Sequence, residues 1–122
     1  MDREFKSRSI VQKFFNAFYG MLIPYRTEVS IRIQTMVVLV GILLGIYLGI
    51  SRVDWLFVVI AAALLLITEC LNTAVEKLVD LVSPGYNELA GKVKDIAAGA
   101  VFIAGLASLT ISILVFIPYF IK

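Results

Sequence analysis

Three long uncharged runs constrain the fold of this chain more than any other feature. Residues 33–50, 55–68 and 96–117 contain no Asp, Glu, Lys or Arg. With their flanks, all three approach the roughly 20 apolar residues that a membrane-spanning helix needs. Of the whole chain, 61% is hydrophobic, well above the share typical of soluble domains. The sequence therefore predicts an all-α integral membrane protein.

The expected helices fit into one domain, because 122 residues correspond to a single domain by length. We predict transmembrane helices at about 29–50, 55–80 and 88–117, with Trp55 in the interfacial aromatic belt.

An amphipathic surface helix is predicted before them, at about 9–23. Its apolar residues recur with helical spacing, Ser9 is a plausible N-cap and Pro24 should end it. A signal peptide is the alternative, but Gln12, Lys13 and Asn16 interrupt the apolar run.

A polar stripe follows the second apolar run. On a helix, Glu69, Asn72, Thr73, Glu76 and Asp80 fall within an arc of roughly 100°. A carboxylate directly after an apolar membrane segment is costly unless it faces a partner, water or a metal ion. Like charges stacked along one stripe also repel each other, and divalent cations relieve that repulsion. We interpret the stripe as a metal-assisted active site at the membrane boundary.

If each of the three apolar runs crosses the membrane once, further charged residues come to the same side of the membrane as the polar stripe. Glu28 and Glu76 come from separate segments and could together hold a magnesium ion that also binds phosphates. Lys94, followed by Asp95, is placed to neutralise phosphate charge. Glu69 is the deepest carboxylate, and therefore suits a general base that takes a proton from a lipid hydroxyl.

Several functions are excluded by residues that the chain lacks. It contains no histidine, which excludes Ser-His-Asp and Cys-His arrangements and ordinary zinc enzyme sites. It has neither a Walker A loop nor a GxGxxG motif. No nucleic-acid partner is expected.

Glycine and turn residues indicate how the helices pack. Gly41, Gly45 and Gly49 form a stripe on which another helix could approach closely. Residues 51–54 are predicted to form a tight turn, 83–85 a second turn, and Pro118 should end the third span. Asn87 is a possible cap for that span.

The positive charges predict the orientation. Nine basic residues lie in the N-terminal region or between the second and third spans, against two on the other side. The N-terminus and the polar stripe are therefore expected in the cytoplasm, with the tail outside.

The residues alone leave three functions open. Polar stripes on membrane helices also line transport pathways, and some only hold helices together. Glu88 and Lys92, spaced i,i+4, are better explained as an exposed helix pair than as a site.

Segment 69–80 resembles the signature of the small prokaryotic diacylglycerol kinase family, which includes undecaprenol kinases. Segment 88–101, with its Lys94-Asp95 pair, is similar to the entry of that family's third membrane helix. The connector with Arg26, Thr27 and Glu28, followed by Arg32, resembles the segment that holds a metal-binding glutamate. The resemblance covers nearly the whole chain, from about Phe14 to Pro118.

The resemblance implies a homotrimer in a bacterial cytoplasmic membrane, with active sites between subunits at the cytoplasmic face. It implies transfer of the γ-phosphoryl group from magnesium-bound ATP to a membrane lipid alcohol. The site residues that it implies are Glu69 as base, Glu28 and Glu76 as metal and ATP ligands, and Asn72, Asp80, Lys94 and Asp95 as further polar residues of the site. Tyr19 and Arg8 are candidate ATP contacts, whereas Arg32 and Ala98 are candidate lipid contacts together with Glu69.

The identity of the lipid acceptor is predicted from segments that resemble one or the other branch of the family. Segments 26–28, 53–56, 97–101 and 116–118 are closer to undecaprenol kinases, and segment 86–91 is closer to diacylglycerol kinases. We expect undecaprenol, with diacylglycerol as the alternative.

Overall fold

The computed structural model describes residues 9–121 and is all-helical, as predicted. Four helices follow one another along these residues: α1 (Ile10–Thr27), α2 (Val29–Leu48), α3 (Arg52–Val82) and α4 (Glu88–Phe120). The last three are long and apolar enough to cross a membrane. Only short connections separate them, so α2, α3 and α4 run antiparallel to their neighbours.

Helix α3 is central to the packing, because α4 lies along its length and both α1 and α2 also contact it. A buried hydrogen bond from Ser108 Oγ to the Ala61 carbonyl (3.0 Å) joins α4 to α3. The buried apolar residues are few, among them Ile31, Ala61 and Ala104, while most large apolar side chains are exposed. An exposed apolar surface of this kind is what helices in lipid present to their surroundings.

Helix α1 begins as predicted but ends later. The Ser9 hydroxyl accepts from the Gln12 N–H, and the Gln12 side chain accepts from the Ser9 N–H, forming a capping box. The prediction that Pro24 ends the helix is wrong, since α1 continues to Thr27. Proline removes its own N–H donor but leaves its carbonyl available, and the Glu28 N–H donates to that carbonyl at 2.8 Å.

The connection between α2 and α3 is shorter than predicted. Gly49 ends α2 in the left-handed conformation (φ 62°), which only glycine adopts without strain. The Ser51 hydroxyl then accepts from the Asp54 N–H and caps α3. Residues 52–54 are therefore the first turn of α3 and not a tight turn, because this cap lets the helix start at Arg52.

Gly45 explains part of the glycine stripe. A Cβ atom at this position would lie 2.8 Å from Cη2 of Trp55, so the missing side chain allows α2 to approach the first turn of α3. At Gly41 an added Cβ would meet no atom within 4 Å. Within the chain the three glycines thus have separate roles: Gly45 allows close packing, Gly49 ends a helix, and Gly41 borders open space.

Helix α4 has the predicted start and a later end. The Asn87 side chain accepts from the Ala90 N–H at 3.0 Å, which confirms the predicted cap. The prediction that Pro118 ends the span is wrong, since α4 runs to Phe120. Beyond the proline, the Tyr119 hydroxyl is held by α3 and the Ile121 N–H donates to the Ile117 carbonyl.

Candidate active site

Glu69 lies within the helix bundle, on the face of α3 that meets α2. Only 3% of the surface of Glu69 is exposed. The Ser30 hydroxyl, in the first turn of α2, donates a hydrogen bond to Glu69 Oε1. The Thr73 hydroxyl donates to the Glu69 backbone carbonyl at 3.0 Å and so does not occupy the carboxylate. The deepest carboxylate of the stripe is therefore buried and held from a second helix.

The stripe becomes more exposed toward the end of α3. Asn72 and Glu76 are half-buried, and Asp80 is exposed. The Asn72 amide donates to Glu76 Oε1 at 3.0 Å, while the buried Asn72 Oδ1 has no hydrogen-bond partner among residues 9–121. The stripe thus leads from a buried carboxylate to water over about 16 Å, at 1.5 Å per residue.

Lys94 joins the exposed end of the stripe to α4. Its ammonium lies 2.7 Å from Asp80 Oδ1, and it is also attracted by the charge of Glu76. The neighbouring Asp95 is exposed. By contrast, Lys92 and Glu88 form a 3.7 Å pair within α4 with both side chains more than two-thirds exposed, as predicted for a helix pair.

Glu28 lies at the junction of α1 and α2, where it follows the last residue of one helix and precedes the first of the next. The Arg32 guanidinium fixes this junction, since it donates to the backbone carbonyls of Tyr25 (2.7 Å) and Arg26 (3.2 Å). Tyr25 also shares a 2.7 Å hydrogen bond with Thr35 of α2. The junction places Glu28 two residues before Ser30, the residue that contacts Glu69.

The remaining predicted site residues lie apart from these contacts. Tyr19 is exposed on α1 beside Phe18, and Ala98 is exposed on α4. Arg8 lies outside the described residues. In residues 9–121, no group of three or more Asp, Glu or Cys side chains is close enough to hold a metal ion.

An apolar groove lies between the three long helices, beginning about one turn from Glu69. Leu65 and Ala61 line it at positions four and eight residues before Glu69, which places them near the same face of α3. Gly41 of α2 and Ser112 and Phe116 of α4 also line it.

Comparison with known proteins shows which family this sequence is similar to. Residues 15–116 match the family described as prokaryotic diacylglycerol kinase. The chain belongs to this family. Membership confirms the resemblance carried by segments 69–80 and 88–101 and, with three helices apolar enough to span, indicates a multi-pass membrane protein.

Three relatives show the extent of the similarity. The undecaprenol kinase of Bacillus subtilis (strain 168) is 30% identical over 115 residues, which cover 91% of this chain and 94% of the relative. The diacylglycerol kinase of Escherichia coli (strain K12) is 30% identical over 85 residues, or 70% of each chain. The diacylglycerol kinase of Synechocystis sp. is 32% identical over 111 residues, which cover 90% of this chain and 63% of the relative.

Two residues of α2 in this diacylglycerol kinase family member were missed by the sequence reasoning. Ser30 contacts Glu69, and the buried Oε1 of Gln34 has no hydrogen-bond partner within the part of the chain that the structure describes. The two residues are spaced i,i+4, so they lie on one face of α2. That spacing of polar residues at the start of an apolar span was the signal that could have revealed them.

Proposed function

We propose that this protein is an ATP-dependent lipid kinase that transfers the γ-phosphoryl group to the hydroxyl of a membrane lipid alcohol. The observation that carries the proposal is the buried carboxylate of Glu69 near the apolar groove of a membrane helix bundle. A lipid with its chain in that groove would bring its hydroxyl toward Glu69. The lipid kinase names of its relatives support this assignment.

In the proposed reaction Glu69 acts as the general base. Its carboxylate takes the proton of the lipid hydroxyl as the lipid oxygen bonds to the γ-phosphorus. The bond between that phosphorus and the oxygen bridging to the β-phosphate breaks, and ADP leaves with the electron pair. The burial of Glu69 excludes water, which would otherwise compete with the lipid as acceptor.

Glu28 and Glu76 are the proposed ligands of magnesium. The donor set fits this ion, because Mg²⁺ prefers oxygen ligands and is usually bound by one or two carboxylates together with substrate phosphates. The unpartnered Asn72 Oδ1, whose amide is bonded to Glu76, adds another oxygen in the same place. When bound, magnesium would neutralise phosphate charge and orient the γ-phosphoryl group.

The other polar residues are assigned to the two substrates. We assign binding of the ATP phosphates to Lys94. Asp80 and Asp95 are assigned as further polar residues of the site. Tyr19 and Arg8 remain proposed contacts of the nucleotide. Arg32 and Ala98 remain proposed contacts of the lipid, although the Arg32 guanidinium already binds carbonyls of α1.

Undecaprenol is the acceptor that we favour. Similarity to the Bacillus subtilis undecaprenol kinase extends over 91% of the chain, against 70% for the Escherichia coli diacylglycerol kinase at the same identity. Diacylglycerol is the second candidate acceptor.

We further propose a homotrimer in the bacterial cytoplasmic membrane, with the site facing the cytoplasm and N-terminal helix α1 lying on the membrane surface. The exposed apolar side chains of the three long helices would then contact lipid or other subunits. Exposed Phe14, Phe15 and Phe18 on α1 support its position at the surface.

The decisive experiment is phosphoryl transfer from labelled ATP in mixed micelles containing undecaprenol, diacylglycerol or no added lipid alcohol. We expect transfer to one of the two lipids, no product without lipid, and a loss of at least about 100-fold in Glu69→Gln and Glu76→Gln. Glu88→Gln is the matched control, because it removes an exposed carboxylate whose salt bridge, to Lys92, lies within α4.

Two results would count against the proposal. Full activity of Glu69→Gln would remove Glu69 as the base. If the folded protein transferred phosphate to neither lipid, other lipid alcohols would be tested, and failure of those would favour a transporter or a non-catalytic assembly subunit.

A further inference from the structure

We propose that Ser30 is a positioning residue that holds the Glu69 carboxylate in the orientation needed for proton abstraction. This inference rests on the proposed kinase function. It assigns a role to a side chain of α2 that acts through the base and not on the substrate itself. The contact on which it stands is the hydrogen bond from the Ser30 hydroxyl to Glu69 Oε1.

The Glu69 carboxylate is removed from water. Glu69 is 3% exposed on a helix that is apolar enough to span a membrane. A carboxylate removed from water needs hydrogen-bond donors to offset its lost solvation. The Ser30 hydroxyl supplies one, and a hydrogen bond to a charged group is stronger than one between neutral groups.

The two carboxylate oxygens of Glu69 are assigned different partners. Ser30 occupies Oε1, while the nearby hydroxyl of Thr73 is directed to the Glu69 backbone carbonyl. Oε2 is thereby assigned to the substrate hydroxyl. A glutamate side chain has several rotatable bonds, and ordering it costs conformational entropy. A hydrogen bond from the neighbouring helix offsets that loss of entropy before the substrate binds.

The proposed role of Ser30 leaves the proton balance of the reaction unchanged. The Ser30 hydroxyl keeps its proton throughout, donating it as a hydrogen bond to Oε1. The proton of the lipid hydroxyl passes to Oε2, the lipid oxygen bonds to the γ-phosphorus, and ADP leaves. Ser30 thus changes the rate of the step without entering the bonds that form or break.

The position of Ser30 in the chain gives this contact a second consequence. It lies in the first turn of α2, two residues after Glu28, a proposed magnesium ligand. The hydrogen bond therefore ties the start of α2 to the base on α3, and it relates a metal-ligand segment to the position where the proton is removed.

The test compares Ser30→Thr with Ser30→Val. The two replacement side chains have nearly the same shape and β-branching, so the pair isolates the hydroxyl. Ser30 is exposed, which leaves space for the extra methyl group. With the lipid that the wild-type protein phosphorylates, we expect Ser30→Thr to retain kcat within about threefold. Ser30→Val should lower kcat by about 10- to 100-fold, the effect of losing a hydrogen bond to a charged group.

KM values separate positioning from substrate contact. We expect the KM for lipid and for ATP to stay within about twofold in both variants, because the lost bond orients the base and does not bind substrate. Thr68→Val is the matched control. Thr68 precedes Glu69, but its hydroxyl bonds to the Leu64 carbonyl of its own helix at 2.7 Å, so kcat should not change.

Each alternative outcome has a defined meaning. Equal kcat in Ser30→Thr and Ser30→Val would overturn the inference, and so would a raised lipid KM with an unchanged kcat, which would make Ser30 a lipid contact. The unfolding midpoint of each variant shows whether a loss of kcat comes from misfolding. If both variants lose kcat only because they misfold, the inference is also overturned. Failure of wild-type transfer to every lipid would instead reject the proposed function.

Discussion

The Tyr119 hydroxyl lies 2.5 Å from Asp54 Oδ2, and it also accepts a hydrogen bond from the Ser51 N–H at 3.0 Å. These contacts tie the last turn of α4 to the first turn of α3. They lie at the opposite end of the helix pair from the Asp80–Lys94 contact, which joins the same two helices. The pair is thus held by polar contacts at both ends and by Ser108 and Ala61 between them.

The Asp54–Tyr119 contact is predicted to stabilise the fold without taking part in catalysis. Tyr119→Phe should lower the free energy of unfolding by about 1–2 kcal/mol, because it removes a hydrogen bond to a carboxylate. Unfolding in mixed micelles with increasing denaturing detergent measures this, with Tyr47→Phe on the exposed face of α2 as control. An unchanged unfolding midpoint for Tyr119→Phe would contradict the prediction.

Gly45 is predicted to be required for packing of α2 against α3. Gly45→Ala should destabilise the protein by about 1–3 kcal/mol, because its Cβ would lie 2.8 Å from the Trp55 ring. Gly41→Ala, one turn earlier in open space, should leave the unfolding midpoint unchanged or slightly raised. A loss of stability in Gly41→Ala would instead indicate that the stripe packs between subunits.

Lys94 is predicted to matter for nucleotide binding and little for stability. The side chains of Lys94 and Asp80 are 40% and 64% exposed, and exposed ion pairs contribute little to stability. Lys94→Met should raise the KM for ATP by about tenfold or more, because it removes a phosphate-neutralising charge. The control is Lys92→Met, which removes an equally long cation from the exposed pair with Glu88. Equal KM values in the two variants would contradict the role of Lys94.

Arg32 is predicted to hold the junction between α1 and α2. Lysine cannot reproduce the forked guanidinium that reaches two carbonyls, so Arg32→Lys should accelerate amide exchange in the last turn of α1 by about tenfold. Hydrogen exchange followed by mass spectrometry measures this, with Arg26→Lys as control. Unchanged exchange together with a raised lipid KM would favour lipid binding as the role of Arg32.

The dependence of the transfer rate on magnesium is predicted to require Glu76. Chelation of divalent cations should abolish transfer, and Glu76→Gln should raise the magnesium concentration that gives half-maximal rate, because one carboxylate ligand is lost. Titration of the residual transfer rate with magnesium measures this, and Glu88→Gln should titrate like the wild type. Transfer that persists in excess chelator would exclude a metal-assisted reaction.

The sequence by itself determined the helices and the position of the polar stripe on α3. Apolar runs and helical spacing depend on residues close together in the chain, and so do the caps at Ser9 and Asn87. The same local pattern carried the family resemblance in segment 69–80. The helix ends at Pro24 and Pro118 were misjudged because contacts from other helices, through Arg32 and Asp54, support the turns that follow each proline.

Only the tertiary structure decided which side chains meet. Ser30 and Glu69 are 39 residues apart, and nothing in either local pattern indicates that their helices place them together. The register of two packed helices depends on every contact along them. For that reason the local sequence did not show that Lys94 would bond to Asp80 or that Trp55 would lie against Gly45. Periodicity determines which face of a helix is polar, whereas packing determines what that face touches.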